Sequence, residues 1–379
     1  MAVRVVFAVF LLFSTFLPGF SAGQLFGAVK AGPPGTSVYH SAHPDFGAAD
    51  DLVTPESVRS FAALSGKKIA WAFVSFHWGG DMRFPSEACR VLHREGVVPL
   101  IGMMPWSELR QNSAESRYTM ERIASGDFDD GLRRCAEDVR ALGFPIMIEF
   151  GPEANGSWFP WNGAWNGRNE DTYGERGCPD GPERFRDAYR RVVRIFRESG
   201  ALDVTWVFHI ASDGYPKEAW NSARFYYPGD EWVDWIGASV YGRLRGDGPA
   251  VPFDRIMSKI YPGLTALSPE KPIAILELGV SESGIRQDKS DWIKDALESV
   301  SSGRYPRLRA VGWWNKKFRP DGSRSTLEID SSPESLAAYR DGVKNFVTEI
   351  LWTGLGTRNA RPSCEYRQSA DENPDELAR

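Results

Sequence analysis

The sequence of 379 residues has few cysteines and histidines, 4 and 5 respectively, and no two of them have the spacing of a metal site. It contains neither a glycine-rich phosphate-binding turn nor the G-x-S-x-G elbow of serine hydrolases. Its 45 basic and 50 acidic residues give a net charge of -5 and form no basic cluster. We therefore expect no metal, no organic cofactor and no nucleic-acid partner.

The two ends of the chain differ from the rest. Residues 1–23 hold one basic residue, Arg4, then an apolar run from Val5 to Phe13 that is short for a membrane span, then Pro18 and Gly19. This order predicts a cleavable secretory signal, and hence a secreted protein, extracellular or periplasmic, with no membrane contact after cleavage. Residues 353–379 are polar and predict a disordered tail. Between these ends, residues 24–352 are expected to form one catalytic domain, and the protein is expected to be a monomer.

Short apolar runs bounded by Gly, Pro or polar residues alternate with amphipathic segments of helical period. Such runs are typical of strands buried on both faces of a parallel sheet. Eight strand and helix units predict a single-domain (β/α)8 TIM barrel, since the open doubly wound alternative lacks its glycine-rich turn. The runs are Leu25 to Lys30, Ile69 to Phe76, Val97 to Pro105, Pro145 to Phe150, Val204 to Ile210, Val233 to Tyr241, Pro272 to Val280 and Leu308 to Asn315.

Ionisable and aromatic residues collect at the carboxyl ends of these runs, where a (β/α)8 barrel holds its active site. Core packing accounts for Trp71, Trp206, Trp235 and Trp292, which lie within runs or on helix stripes. It accounts poorly for the residues at the run ends, namely His77, Trp106, Glu153, Trp158, Trp161, His209, Tyr241, Glu277 and Trp314.

Two glutamates, Glu153 after the fourth run and Glu277 at the end of the seventh, face each other across the predicted barrel mouth. A pair of carboxyl groups cleaves a glycosidic bond when one protonates the departing oxygen and the other meets the oxocarbenium-like carbon. Tryptophans suit such a pair because the apolar face of a pyranose stacks on an aromatic ring. The loop after the fourth run is predicted to line the leaving-group subsites, with a self-packed loop as the open alternative, through Trp161, Asn162, Trp165, Asn166 and Arg168. Asn155 in the same loop is also predicted to bind substrate.

The run Glu-x-Asn-Gly-x-Trp-x-Pro-Trp from Glu153 to Trp161, with the later Ile-Leu-Glu-Leu-Gly around Glu277, resembles glycoside hydrolase family 26 of clan A, the family of β-mannanases. The resemblance implies a retaining double displacement, with Glu153 as acid/base and Glu277 as nucleophile. It also implies that Tyr241 bonds the nucleophile, and that Trp158 and Trp314 border the cleavage point. His77 and Trp106 would contact the sugar on the non-reducing side.

The sequence departs from that family at two positions. Glu149 and Pro152 stand where family members usually have Arg and His. Glu149 has the strand parity of an inward side chain, so it is expected to need a cation or hydrogen-bond donors. For His209 a satisfied core histidine and a ligand contact stay open.

The expected activity is endo-type cleavage of β-1,4-mannan, and the expected partner is a polysaccharide substrate. Two alternatives stay open because of the substitutions at Glu149 and Pro152. One keeps the catalytic residues and changes the substrate to β-glucan, xylan or an exopolysaccharide. The other is a carbohydrate-binding barrel without activity.

Overall fold

The structure, a computed structural model, describes residues 28–47, 53–244, 248–285, 288–316 and 326–354. The predicted signal segment lies outside these residues, as does the predicted tail from residue 355 onward. Eight parallel strands form a closed barrel in chain order, which confirms the predicted (β/α)8 fold. They are β2 (Tyr39–His43), β3 (Trp71–His77), β4 (Val98–Met104), β5 (Ile146–Phe150), β6 (Val204–Ala211), β7 (Trp235–Tyr241), β8 (Ile273–Gly279) and β9 (Leu308–Trp314).

Helices follow each barrel strand and return the chain to the amino end of the next. They are α1 (Pro55–Ser65), α2 (Ser86–Arg94), α3 (Met120–Ser125), α4 (Asp129–Leu142), α5 (Asp180–Glu198), α6 (Ala223–Tyr226), α7 (Phe253–Leu267), α8 (Asp288–Ser301) and α9 (Pro333–Val343). The start of α1 shows the local cause: Thr54 and Ser57 cap each other reciprocally, and proline at the first helical position removes an amide that would lack a partner. No helix of the described ranges combines the length and apolarity needed to cross a membrane.

A short antiparallel pair, β1 (Lys30–Gly32) and β10 (Leu351–Thr353), covers the amino end of the barrel. The amide of Ala31 donates to Thr205 Oγ1 at 2.8 Å, and Trp235 Nε1 donates to the carbonyl of Ala31 at 2.7 Å. Both partners lie at the amino ends of their strands. These bonds fix the β1 and β10 pair against the amino ends of β6 and β7. Residue 353, predicted as the start of the tail, is part of β10.

The first barrel strand is not the predicted run Leu25 to Lys30. It is β2, whose residues Tyr39–His43 are all buried although several are polar. They are satisfied by hydrogen bonds: His40 contacts the carbonyl of Lys68 at 2.7 Å, and Ser41 Oγ donates to the carbonyl of Val311 at 3.0 Å. A hydropathy pattern does not identify such a strand, because its burial depends on partners that are distant in the sequence.

The core lies between the barrel and its helices. All eight residues of β6 are buried, as a strand covered on both faces requires. The four tryptophans predicted to be core, Trp71, Trp206, Trp235 and Trp292, are buried. Cys89 and Cys135 are buried thiols on α2 and α4.

Candidate active site

Glu153 sits on a tight turn directly after β5. Its backbone φ is 51°, a left-handed conformation that costs a non-glycine residue about 1–2 kcal/mol. The turn needs glycine two residues earlier, because a β-carbon on Gly151 would lie 2.7 Å from the ring of Phe185. The end of β6 holds the turn in place: the amide of Ala154 donates to the carbonyl of His209 at 3.0 Å. The strain at Glu153 is thus fixed by contacts of its neighbours.

One hydrogen bond orients the Glu153 carboxyl group. Trp158 Nε1 donates to Glu153 Oε2 at 2.6 Å. The indole reaches the carboxyl group because the residue below it is Gly156, where a β-carbon would overlap the ring. The glycine and tryptophan of the sequence motif therefore serve one contact, which leaves Oε1 of Glu153 for a ligand.

Glu277 lies near the carboxyl end of β8, where the strand carries a bulge. Ala238 pairs with Ile275 but Ser239 pairs with Glu277, so Leu276 is an extra residue on this strand. A bulge re-aims the side chains beside it, and such bulges are frequent next to active sites. Leu276 packs over Gly237, where a β-carbon would overlap its side chain. Glu277 follows at the rim, and Tyr241 Oη donates to its Oε2 at 2.7 Å.

The two carboxyl groups influence each other. Burial and, second, the carboxylate of Glu153 raise the pKa of Glu277 to about 8, against the opposing effects of His209 and Tyr241. A like charge raises the pKa of a carboxyl group only at short range, so the two carboxyl groups share one electrostatic environment. The structure thus brings together the two glutamates that the sequence places 124 residues apart.

Aromatic side chains surround the glutamates. Trp314 at the end of β9 is half-buried and stacks on His43 with ring centroids 4.1 Å apart. Its neighbour Trp313 is buried and packs against Tyr339 of α9, so of the two tryptophans Trp314 faces the barrel. Trp106 Nε1 and His77 Nδ1 are joined by a 2.7 Å hydrogen bond. These residues occupy the rim as predicted.

Two other residues predicted to bind sugar lie inside the loop after β5. The amide of Asn155 is buried, and both of its polar atoms bond Ala211: Nδ2 donates to the carbonyl at 3.0 Å, and Oδ1 accepts from the amide at 2.7 Å. Trp161 is 0% exposed, packs on Phe159 and donates from Nε1 to the carbonyl of Pro152 at 2.8 Å. Both residues shape the loop that carries Glu153.

A buried polar network below the glutamates was only partly predicted. Glu149 on β5 is 1% exposed, and its Oε2 is 2.9 Å from His209 Nδ1 on β6. His209 Nε2 is 2.8 Å from Ser239 Oγ on β7. The partner expected for Glu149 is therefore His209, while the role of His43 beside Trp314 was missed. His43 ends the strand that the sequence pattern did not reveal, and its position as a final strand residue is the signal that a correct strand assignment would have given.

One group of side chains away from the glutamates has the composition of a metal site. Within the described ranges, ligand atoms of Glu175, Cys178 and Glu183 lie within 4.8 Å of one another, in the loop before α5 and on its first turn. Arg186 already pairs with Glu183 Oε1 at 2.7 Å and supplies the positive charge there. The group is explained as an ion pair.

Part of the chain matches a known protein family. The family description "Glycosyl hydrolase family 26" matches residues 119–288, a range that includes Glu153, Tyr241 and Glu277. Endoglucanase H of Acetivibrio thermocellus is 29% identical over 304 residues, which cover 78% of this chain and 30% of that protein. The chain resembles glycoside hydrolase family 26 over residues 119–288, which are less than half of its length.

Another relative is named for a different polysaccharide. A β-1,3-xylanase of Alcaligenes sp. is 26% identical over 149 residues, covering 39% of this chain and 27% of that protein. The chain thus spans less than a third of the length of these curated relatives.

Solved structures support the fold. The catalytic domain of a Bacillus sp. JAMB-750 endo-β-1,4-mannanase has a TM-score of 0.59 at 16% identity, covering 81% of this chain and 86% of that one. A Cellulomonas fimi endo-β-1,4-mannanase has a TM-score of 0.58 at 17% identity, covering 85% of this chain and 74% of that one.

Proposed function

We propose that this chain is an endo-type glycoside hydrolase that retains anomeric configuration, with Glu153 as acid/base and Glu277 as nucleophile. The observation that carries the proposal is the pair of carboxyl groups at the carboxyl end of the barrel strands, each oriented by one aromatic donor. A protein that only binds polysaccharide has no need for a second carboxyl group that raises the pKa of the first.

In the first step a Glu277 oxygen attacks the anomeric carbon while Glu153 transfers its proton to the glycosidic oxygen. The bond from the anomeric carbon to that oxygen breaks, the bond to Glu277 forms, and the leaving sugar departs as an alcohol. Tyr241 holds one oxygen of Glu277 and leaves the other for attack. Burial and the neighbouring Glu153 raise the pKa of Glu277 to about 8, so the site readily holds a proton at neutral pH. The mechanism requires one proton on the pair, carried by Glu153 when Glu277 attacks.

In the second step Glu153, now a carboxylate, takes a proton from water as the water oxygen attacks the anomeric carbon. The bond to Glu277 breaks, the sugar is released with its original configuration, and Glu153 regains the proton. Trp158 donates to Glu153 in both steps, which fits a group that alternates between acid and base because one carboxyl oxygen stays free.

We assign the bound sugars to positions beside the aromatic residues of the barrel rim. Trp314, stacked on His43, offers a supported aromatic surface at the cleavage point. The hydrogen-bonded pair of His77 and Trp106 lies at the ends of β3 and β4 and is assigned to the sugar on the non-reducing side.

Two substrates are proposed, and the assays rank them. The sequence motif favours β-1,4-mannan. A β-glucan is favoured by Pro152 at a position where mannanases of the family carry His, and by the similarity to a relative named Endoglucanase H. We expect β-glucan to give the higher kcat/KM, since proline offers no side-chain donor to the sugar beside the scissile bond.

Reducing-sugar release from barley β-glucan, glucomannan, galactomannan and xylan tests the proposal. Proton NMR of the first product should show the β-anomer. Glu277→Ala should abolish turnover, and added azide should restore it with formation of an α-glycosyl azide. Affinity for a polysaccharide without release of sugar by the wild type would support the binding barrel instead. From residues 1–23 we further propose that the protein is exported. Secretion of the full-length chain from a bacterial host would test this.

A further inference from the structure

The barrel contains a third carboxyl group below the catalytic pair. Glu149 on β5 is 1% exposed and lies four residues before Glu153 in the sequence. Its Oε2 contacts His209, and its Oε1 has no hydrogen-bond partner among the described residues. A β-carbon on the adjacent Gly102 would lie 3.5 Å from that oxygen, so the carboxyl group is enclosed by the barrel wall.

His209 is the basic group that faces this cluster. Both of its ring nitrogens are engaged, one by Glu149 at 2.9 Å and the other by Ser239 at 2.8 Å. Burial is the largest influence and lowers the pKa of His209, but the charge and hydrogen bond of Glu149, with the charges of Glu277 and Glu153, together outweigh it, so the pKa rises to about 9. The ring is therefore an imidazolium at neutral pH and donates from both nitrogens.

His209 also lies between the elements that carry the catalytic pair. Its backbone carbonyl accepts from the amide of Ala154, the residue after the acid/base. Its partner Ser239 pairs in register with Glu277 across β7 and β8. One side chain is thus connected to the turn of the acid/base and to the strand of the nucleophile.

We propose that His209, held by Glu149 and Ser239, is a positioning residue whose fixed positive charge limits the catalytic pair to a single proton. The proposal rests on the function proposed above. The imidazolium opposes the rise in the pKa of Glu277 that burial and the charges of Glu153 and Glu149 cause. Without it that pKa rises further, and the nucleophile holds its proton more strongly at neutral pH.

The test is His209→Gln, which keeps a polar side chain and removes the charge. We expect both limbs of the pH profile of kcat/KM to move up by about one pH unit, so that the rate on the acid side falls about tenfold. An aryl β-cellobioside with a good leaving group isolates the acid limb, because its cleavage needs no proton from Glu153. KM should change less than kcat. Glu149→Gln should move the limbs less than His209→Gln, because it removes both the anion that raises the pKa of His209 and a charge that raises the pKa of Glu277.

His40→Gln is the matched control. His40 is also buried and bonded through both nitrogens, but its Nε2 contacts Tyr339 of α9 outside the barrel. It should lower thermal stability and leave the pH limbs in place. If His209→Gln is folded and its limbs coincide with those of wild type, His209 has only a structural role and the proposal fails.

A second measurement does not depend on turnover. Carbon-13 NMR of glutamate carboxyl groups, assigned by Glu277→Gln, follows the titration of Glu277 in the wild type and in both His209 and Glu149 variants. An upward shift of that titration in His209→Gln, larger than in the Glu149 variant, supports the proposal even if no glycan is cleaved, in which case only the proposed function fails. An unchanged titration contradicts the proposal whatever the activity.

Discussion

The hydrogen bond from Tyr241 to Glu277 allows the sharpest test of the proposed nucleophile. Tyr241→Phe removes the hydroxyl that donates to Glu277 Oε2 at 2.7 Å and keeps the ring, which packs beside Gly279. Burial, with the charge of Glu277, raises the pKa of Tyr241 well above 10, so the hydroxyl is a donor at every pH at which the enzyme is assayed. The variant therefore removes one donor and nothing else.

The magnitude follows from the charge on the acceptor. A hydrogen bond to a charged group contributes about 1.5–3 kcal/mol. In the first step Glu277 attacks as a carboxylate. Without the Tyr241 hydroxyl this carboxylate is less well oriented and is protonated more easily, and both effects lower the rate. At about 1.4 kcal/mol per decade, kcat/KM should fall by about 10 to 150-fold. Since the hydroxyl opposes the raised pKa of Glu277, the acid limb should also move to higher pH.

The assay is kcat/KM on an aryl β-glycoside and on the preferred polysaccharide between pH 5 and 9, a range that includes the raised pKa of Glu277, about 8. Tyr305→Phe is the matched control, because its hydroxyl donates to Asp254 Oδ1 at 2.8 Å, far from the glutamates in the helical layer. It should alter thermal stability and not the pH profile. A Tyr241→Phe enzyme within about twofold of wild type at all pH values would refute the reasoning.

The remaining predictions concern stability, pH and chain length. Glu277→Gln should abolish activity and raise the free energy of unfolding at pH 8 by about 1 kcal/mol, because the amide carries no charge to bury; a lower melting temperature in calorimetry would contradict this. The raised folded-state pKa values of Glu277, from 4.5 to about 8, and of His209, from 6.5 to about 9, contribute stability that is present at lower pH and lost as pH rises through 8 and 9. Urea unfolding should thus give a smaller free energy at pH 9.5 than at pH 6, and a rise would be inconsistent with both assignments. Tyr215 is 59% exposed and its carbonyl accepts from Ser157 beside the acid/base loop. Tyr215→Ala should raise KM for long polysaccharides by about 3 to 10-fold and leave aryl glycosides unaffected; equal effects on both would argue against a sugar-stacking role.

The sequence predicts those parts of the fold that depend on local pattern. β5 and β8 are apolar runs bounded by Pro and Gly, and a strand covered on both faces requires that composition. Glu153 and Glu277 follow from these strands, because the carboxyl ends of a barrel's strands converge. The first strand, β2, does not follow, since its two histidines and its serine are buried through hydrogen bonds to residues far along the chain.

The orientation of side chains within the site is the other part that sequence reasoning does not supply. Trp158 and Trp161 are three residues apart in one motif, yet one bonds the acid/base and the other is fully buried in the loop. The extra residue Leu276 changes the direction in which the Glu277 side chain points, and the amino-acid pattern does not predict this bulge. Residue type identifies the chemistry available to a loop, whereas backbone turns and bulges decide which groups face the ligand.

The irregular features of this barrel occur at or beside its buried charged residues. Glu153 has a left-handed backbone, β8 bulges at Leu276, and Glu149 and His209 form an ion pair in the interior. Each of these features lowers stability when taken alone, through strain, a disrupted ladder or desolvation. They share partners: the carbonyl of His209 holds the turn of the acid/base, and Ser239 links the imidazolium to the bulged strand. Relieving one feature by substitution should therefore disturb the others, so that stabilising changes in this network reduce catalysis while equivalent changes at the amino end of the barrel do not.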